Sequence, residues 1–553
     1  MTQRLHPVVD KWQRVLGAPV RSNNVVQYLV NGPATYEAMH EALLTTLTGA
    51  TKTHYIYLLG WWLDDDLPLV AGNVDSTFAS IAAEAARKGV EVRVMLWNNR
   101  LNANLVTQLT QLTHGSPAQR ATALRELASH RSKYEADLYA ILTDPIAPHA
   151  RLRAQKAWID NLENDCGRAV IDNHLSPFIS HHQKVLITRG DEGLIAFCGG
   201  LDIAADRVEA VPGHSGSPFR DVQCRIQGAA AHDLLATFVQ RWAVAAAAGE
   251  AHTADRLRGY KDSQGTAGPV SATANQYVKV VRTFVDKNRG CMAEGSTAST
   301  MLAAIRAAER FIYAEDQYLV HPEAAAAIGE RLPKLQHVTI VIPHTAIIDL
   351  PGAWAARHRF IRTVFDHAGP ADFKKFQVYF YYRPAGAPKK LNTRYFTDDF
   401  GPGSYVHSKV WIFDDELAII GSANCNYRGW AYDSEVGAAI FDAPTSEGTF
   451  AQRFRVKLWS ELFGRSLPES LLVPESVRAW SLPPAQRYVR RYDPLENTDA
   501  TMAWLRGAGA LLSQAPWMGP ADDAAERLLF FIKNWVGDNP ELVFRGCDSR
   551  RTP

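Results

Sequence analysis

Apolar and polar positions along this chain fall into blocks whose order repeats. Residues 25–30 (VVQYLV) read as a short strand, and Asn31-Gly32-Pro33 as a turn and helix start. Tyr36, Met39, Leu43 and Leu47 then recur at helical spacing, which predicts a helix over 34–47 with one buried face. Residues 54–63 (HYIYLLGWWL) are the next strand, followed by an Ala-rich helix around 80–87 and a strand over 90–97. This β-α-β-α-β order predicts a sheet covered on both faces. The order returns with a strand over 278–284, an Ala-rich helix over 298–310, and strands over 310–319 (RFIYAEDQYL) and 338–342. Without gaps, the two long strand segments share Ile-Tyr at 56–57 and 312–313, and Leu63 falls on Leu319.

Other stretches interrupt the repeat. Residues 102–164 are long, polar and helical in pattern. Residues 343–370 hold Ile347, Ile348, Leu350 and Trp354 close together. These predict a loop packed on the core, with the lip of an apolar channel or a membrane-touching edge as the functional alternative. Beyond about residue 483 the repeat stops, and Leu528, Phe531, Ile532 and Trp535 mark an amphipathic helix expected to pack on the body. The expected units are therefore 1–265, 266–482 and a helical extension, 483–553. The halves meet where Gly, Ser, Thr and Ala dominate, near 255–276.

Composition narrows the class. The 553 residues are 46% hydrophobic and 21% charged, enough for a large core. A formal net charge of +1 argues against a general nucleic-acid binder. Six cysteines (166, 198, 224, 291, 425 and 547) show no C-x-x-C pairing, so reduced and mostly buried thiols are expected. Residues 1–23 lack the apolar run of a signal peptide, and no stretch of 18 apolar residues predicts a spanning helix. A cytoplasmic location, or export without a signal of the usual form, is the expectation.

The candidate chemistry is also duplicated. His182-Gln183-Lys184 precedes an apolar run and Gly199-Gly200-Leu201-Asp202. His407-Ser408-Lys409 precedes an apolar run, Asp414 and Gly421-Ser422-Ala423-Asn424. Residues two apart in a strand face the same side, so each H-x-K aims an imidazole and an ammonium at one point. Two such couples brought together suit an anionic phosphate. The lysines hold its oxygens, one imidazole attacks, and the other manages the proton.

The twice-used H-x-K with its small-residue loop resembles the signature of the phospholipase D superfamily. Residues 177–184, Phe219-Arg220-Asp221, 238–242, Glu315-Asp316-Gln317-Tyr318 and Asp433-Ser434-Glu435 resemble segments of phosphatidylcholine-type phospholipases D, in the same order from about residue 24 to 470. The second copy carries the pattern's acid at Asp414, whereas the first has Arg189 there. His182 to Gly199 spans 17 steps against 14 from His407 to Gly421, so Asp191 replaces the acid only through a shifted hairpin.

The resemblance implies a duplicated α/β/α sandwich, a pseudo-two-fold pair of mixed sheets with one active site at the seam. It implies His182 as nucleophile with Asp221 holding its far nitrogen. It implies His407 as general acid and then base, oriented by Glu435. Lys184 and Lys409 neutralise phosphate charge. Asn424, Asp202, Gly200 and Ser422 line the phosphate site, with Asp202 placing a lysine or backbone. Gln317, Tyr318 and Trp62 are candidate substrate contacts, and Trp61 divides between core and pocket rim. No metal or other cofactor is expected. The implied activity is hydrolysis of a glycerophospholipid, at a membrane surface or in a micelle, to phosphatidic acid and head-group alcohol, with transphosphatidylation, by a monomer. A cardiolipin-synthase-like transferase, a superfamily nuclease and a lipid-binding pseudoenzyme are the alternatives.

Overall fold

The computed structural model describes residues 5–98, 122, 150–172, 180–208, 218–247, 253–265, 274–286, 292–343, 352–381, 405–464, 466–467, 480 and 489–491. Among them one mixed sheet of sixteen strands runs through the molecule. The first half contributes β1 (Arg21–Val30), β2 (Tyr55–Gly60), β3 (Glu91–Trp97), β4 (Gly167–Asp172), β5 (Val185–Gly190), β6 (Gly193–Gly199) and β7 (Val222–Gly228). The second contributes β8 (Gln276–Asp286), β9 (Met292–Gly295), β10 (Phe311–Glu315), β11 (His337–Ile342), β12 (Phe376–Tyr381), β13 (Val410–Phe413), β14 (Leu417–Gly421), β15 (Glu435–Phe441) and β16 (Val489–Arg491).

The strand order reveals the duplication. From the middle outward, the first half runs β1-β7-β6-β5-β2-β3-β4, and the second runs β8-β15-β14-β13-β10-β11-β12. In each half the outer three strands are parallel and the rest antiparallel. The expected pair of sheets is therefore joined edge to edge. The joint is short: β1 meets β8 at Arg21↔Val278 and Asn24↔Gln276, with a register shift between.

The strands are legible because both faces are covered, so they read as nearly unbroken apolar runs. All six residues of β2 and all seven of β3 are buried. One face carries a single core that crosses the seam. Leu234, Phe238 and Trp242 of the helix Ala229–Ala247 and Phe454, Leu458 and Trp459 of the helix Phe450–Phe463 all belong to it. The opposite face carries two separate cores, one per half. This is the expected α/β/α layering, with the layer on one side shared.

The structure adds one helix on which the sequence pattern is silent and changes two expectations. The segment before residue 23 forms a helix, Pro7–Leu16, and packs on the second half, where Trp12 Nε1 donates to Glu416 Oε2 at 3.1 Å. The segment after 343 resumes at Gly352–Ala368 as a helix rather than a loop, while Ile347, Ile348 and Leu350 lie outside the described residues. Beyond 483 the described residues form a strand, β16, antiparallel to β12, and the helix expected around Leu528–Trp535 lies outside them. Cys166, Cys198, Cys224 and Cys425 are free and buried.

Candidate active site

The two H-x-K segments are placed by crossed pairing between halves. Ser434 N donates to Ser180 O at 2.9 Å and His182 N to Ser434 O at 2.9 Å, so the first segment runs alongside the residue just ahead of β15. Symmetrically, Arg220 N donates to Tyr405 O and His407 N to Arg220 O, both at 2.8 Å, so the second segment runs alongside the start of β7. Since β7 and β15 are equivalent strands, each histidine is delivered to the carboxylate of the opposite half.

This overturns the expected partners. His182 Nδ1 lies 2.9 Å from Glu435 Oε1, and His407 Nδ1 lies 2.7 Å from Asp221 Oδ2. A carboxylate can only accept, so each imidazole donates from Nδ1 and presents Nε2 as the reactive nitrogen. The resemblance implies these four residues but joins them within halves. The fold joins them across the seam, because each H-x-K segment pairs with the other half's strand.

Both imidazoles are nearly enclosed, with side chains 14% and 11% exposed. Burial holds each well below the usual histidine range, and both lysine ammonium groups push the same way on both rings. His182 itself further opposes a proton on His407. The four groups therefore share one electrostatic volume. Burial also pushes the Glu435 carboxyl up to about 7, against Lys184, the Ser422 hydroxyl, Lys409 and Arg428, which favour its ionised form. Burial brings Lys409 down to about 7, with Lys184 and Arg207 adding to that and Asp221 and Asp316 opposing it.

The lysines are held in two different ways. Lys184 Nζ donates to His182 O at 3.0 Å and sits 3.2 Å from Asp202 Oδ2. The other oxygen of Asp202 accepts from Trp61 N at 2.8 Å and Trp62 N at 3.1 Å. Asp202 thus places a lysine and a turn. Lys409 donates to His407 O and, at 3.0 Å, to Gln317 Oε1; Gln317 Nε2 in turn donates to Tyr405 Oη at 2.6 Å. Gln317 therefore positions Lys409.

Ser422 Oγ donates to Glu435 Oε2 and accepts from Val436 N at 3.0 Å. Asn424 is buried, and its Oδ1 has no hydrogen-bond partner among the described residues. A side-chain amide can be turned either way, so the unpartnered end can supply a donor. Gly200 must be glycine: a Cβ there would meet Asp221 Oδ1 at 2.3 Å. Of the aromatic candidates, Trp61 rather than Trp62 approaches the reactive ring, edge-on to His182 at 6.4 Å. Trp62 bonds Asp64 through Nε1 and lies under the Arg151 guanidinium, and Tyr318 uses its backbone to close a turn on Asp316.

Asp414 and Asp191, both expected in the catalytic set, are structural. Asp414 is wholly buried at the far end of β13 from His407, and it accepts the N–H groups of Glu309, Arg310 and Phe311, which lead into β10. Asp191, 46% exposed in the β5–β6 turn, accepts from Thr48 Oγ1 at 2.6 Å and braces the turn that leads toward β2. Each anchors the chain ahead of an equivalent strand, and neither holds a histidine or lysine of the site.

Two positively charged residues escaped the sequence reading. Arg220 clasps Glu315 with two bonds of 2.9 and 2.8 Å, and Ser408 Oγ and Tyr313 Oη donate to the same carboxylate. This pair ties the halves together beneath His407. Arg207 reaches Asp221 and His407 themselves. Nothing in their local sequence marks either one, apart from Arg220 standing beside Asp221. Among the described residues no group of three or more His, Cys, Asp or Glu is arranged to hold a metal ion.

Comparison with known proteins adds three findings. A family model described as "Cardiolipin synthase, PLD-like domain" matches residues 301–460, and one described as "Phospholipase D" matches 211–326. Phospholipase D alpha 4 of Arabidopsis thaliana is 23% identical over 508 residues, covering 74% of this chain and 62% of that protein. Phospholipase D alpha 2 of Oryza sativa subsp. japonica is 23% identical over 552 residues, covering 77% and 63%. The chain thus spans less than two thirds of these relatives' length. The crystal structure of phosphatidylserine synthase from Haemophilus influenzae Rd KW20 aligns at a TM-score of 0.48 and 11% identity, over 91% of this chain and 98% of that one.

Proposed function

Since this chain belongs to the phospholipase D superfamily, we propose that it is a phosphodiesterase that hydrolyses glycerophospholipids to phosphatidic acid and a free head-group alcohol. The observation that carries this reading is the pair of crossed imidazole–carboxylate couples, each with a lysine two residues on. Such a site has two reactive Nε2 atoms and two ammonium groups for one phosphate.

In the first step His182 Nε2 forms a bond to phosphorus while the bond to the head-group oxygen breaks. That oxygen takes the proton from His407 Nε2. The incoming phosphate anion restores the proton affinity that burial and the lysines remove from His407. Lys184 and Lys409 balance charge on the equatorial oxygens; comparable fixed donors are worth roughly 3–4 kcal/mol each. Glu435, through Nδ1–H, offsets the positive charge on the phosphorylated imidazole. In the second step water attacks phosphorus, the P–N bond breaks, and His407 takes the water's proton. An alcohol can replace water, which gives transphosphatidylation.

A second reading, phosphatidyl transfer to another lipid's hydroxyl, is favoured by the match of residues 301–460 to a cardiolipin-synthase-type domain. Among the described residues no helix is long and apolar enough to cross a membrane. Incubation with mixed phospholipid vesicles and a primary alcohol, with products read by mass, tests both. Phosphatidic acid and phosphatidyl-alcohol are expected, lipid–lipid products favour the second reading, and no lipid turnover defeats both.

A further inference from the structure

Arg207 lies in a short 3-10 turn, Ala205–Arg207, that follows the first small-residue loop. Its side chain is 5% exposed. Nε donates to Asp221 Oδ2 at 3.0 Å, the same oxygen that His407 Nδ1 approaches at 2.7 Å. Nη2 stands 3.1 Å from His407 Nδ1 itself, and Nη1 donates to Asp206. With Nδ1–H committed to Asp221, the Nη2 approach is a charge placed against the ring rather than a hydrogen bond.

Among the described residues the other half bonds no guanidinium to Glu435, and Arg428 acts on that carboxylate only from a distance. Glu435 receives His182 and the neutral Ser422 hydroxyl, while the nearby guanidinium of Arg428 binds Asp433 through Nε and Nη2, both at 3.0 Å. One imidazole therefore sits on a carboxylate whose charge is shared with an arginine. The other sits on a carboxylate bonded by a hydroxyl alone.

We propose that Arg207 is a positioning residue that makes His407 the proton carrier and leaves His182 as the nucleophile. The proposal rests on the two-histidine reading above and gives it a physical basis in this chain. A nucleophilic imidazole must carry positive charge for the life of the covalent intermediate, which an undivided carboxylate supports. A proton carrier must release its proton to the leaving oxygen, and a fixed charge beside the ring drives that release. The groups facing His407 are Arg207 and Asp221 from the first half, Lys409 from its own segment, Lys184 and His182 across the site, and the rings of Phe219 and Tyr405. Among the described residues, Arg207 and Asp221 are the groups that contact its Nδ1 side.

Two measurements on full-length Arg207→Gln test this. In the first, the enzyme is labelled with 13C at histidine Cε1, with His407 and His182 assigned through Asn variants. His407 should titrate at higher pH in Arg207→Gln than in the unmodified protein, with His182 shifted less. In the second, kcat/KM is compared for phosphatidylcholine and phosphatidyl-p-nitrophenol. The choline ester needs a proton at its leaving oxygen and should lose roughly ten- to a hundredfold more than the nitrophenyl ester, part of the ~10²–10⁴ carried by general acid catalysis. Equal losses on both esters, or an unmoved His407 titration, overturn the proposal. Should Arg207→Gln fail to fold, Arg207→Met, which removes the charge and keeps an unbranched apolar stem in the enclosed site, is read by the same two criteria. If the unmodified enzyme turns over neither lipid, the lipid reading fails, and the titration alone decides the role of Arg207.

Discussion

The imidazole of His407 and the carboxylate of Asp221 meet at 2.7 Å although 186 positions separate them, and they come from opposite halves of the duplicated fold. His182 and Glu435 repeat the relationship at 2.9 Å. Neither half holds a complete histidine–acid couple, so the active site exists only when the halves pack.

Breaking either couple should therefore cost chemistry more than folding. Glu435→Gln keeps the shape but loses the charge that supports His182. Rates of a full turnover should fall by ~10²–10⁴-fold, with a melting temperature near that of the unmodified protein. Asp221→Asn should do the same at His407, and its loss should be smaller for a good leaving group. Steady-state kinetics beside thermal unfolding checks both.

Gly200→Ala pushes a methyl group to within 2.3 Å of Asp221 Oδ1. The carboxylate must move away from His407, and a misplacement of that size costs on the order of a hundredfold in rate. Activity should fall while the overall fold, read by circular dichroism, stays.

The two hairpin acids should behave oppositely to catalytic groups. Asp414→Ala strips an acceptor from three backbone N–H groups and from Lys11, and should cost about 3 kcal/mol or more in denaturant unfolding. Asp191→Ala removes a half-exposed brace and should cost about 1 kcal/mol or less. Folded Asp191→Ala enzyme should retain near-normal kcat, and a thousandfold loss would return Asp191 to the catalytic set.

Acid should destabilise the protein from about pH 6.5 downward, through histidines that the fold holds neutral. Burial brings His321 down to about 3 and His337 down to about 4. Unfolded histidine takes its proton near pH 6.5. These groups thus contribute full stability above about pH 6.5, and it is lost as pH falls from there toward 4 and 3, on the order of 3 kcal/mol for His337. His337 stacks on Phe311 with ring centroids 5.1 Å apart. His337→Phe should unfold like the unmodified protein at pH 7 and resist urea better at pH 4.5; equal acid sensitivity would contradict this.

The strands and the duplication are legible in sequence because doubly covered strands are apolar runs, and because HYIYLLGWWL and RFIYAEDQYL keep the same punctuation. The four reactive side chains are legible because H-x-K places its groups on one side of an extended segment. The partners are not, since pairing between residues 253 and 186 positions apart depends on which half's strand each segment joins. Asp414 shows the converse: a conspicuous spacing in the motif that serves the backbone ahead of β10. Arg207 was invisible for a third reason, because an arginine in a polar turn looks solvent-facing until the fold encloses it.

The most direct test is to quench the enzyme during turnover of a phospholipid and map the covalent adduct by mass spectrometry. A phosphatidyl group on His182, trapped more fully in His407→Asn and absent in His182→Asn, is the expected result. An adduct on His407, or turnover with no adduct on either histidine, would contradict the account.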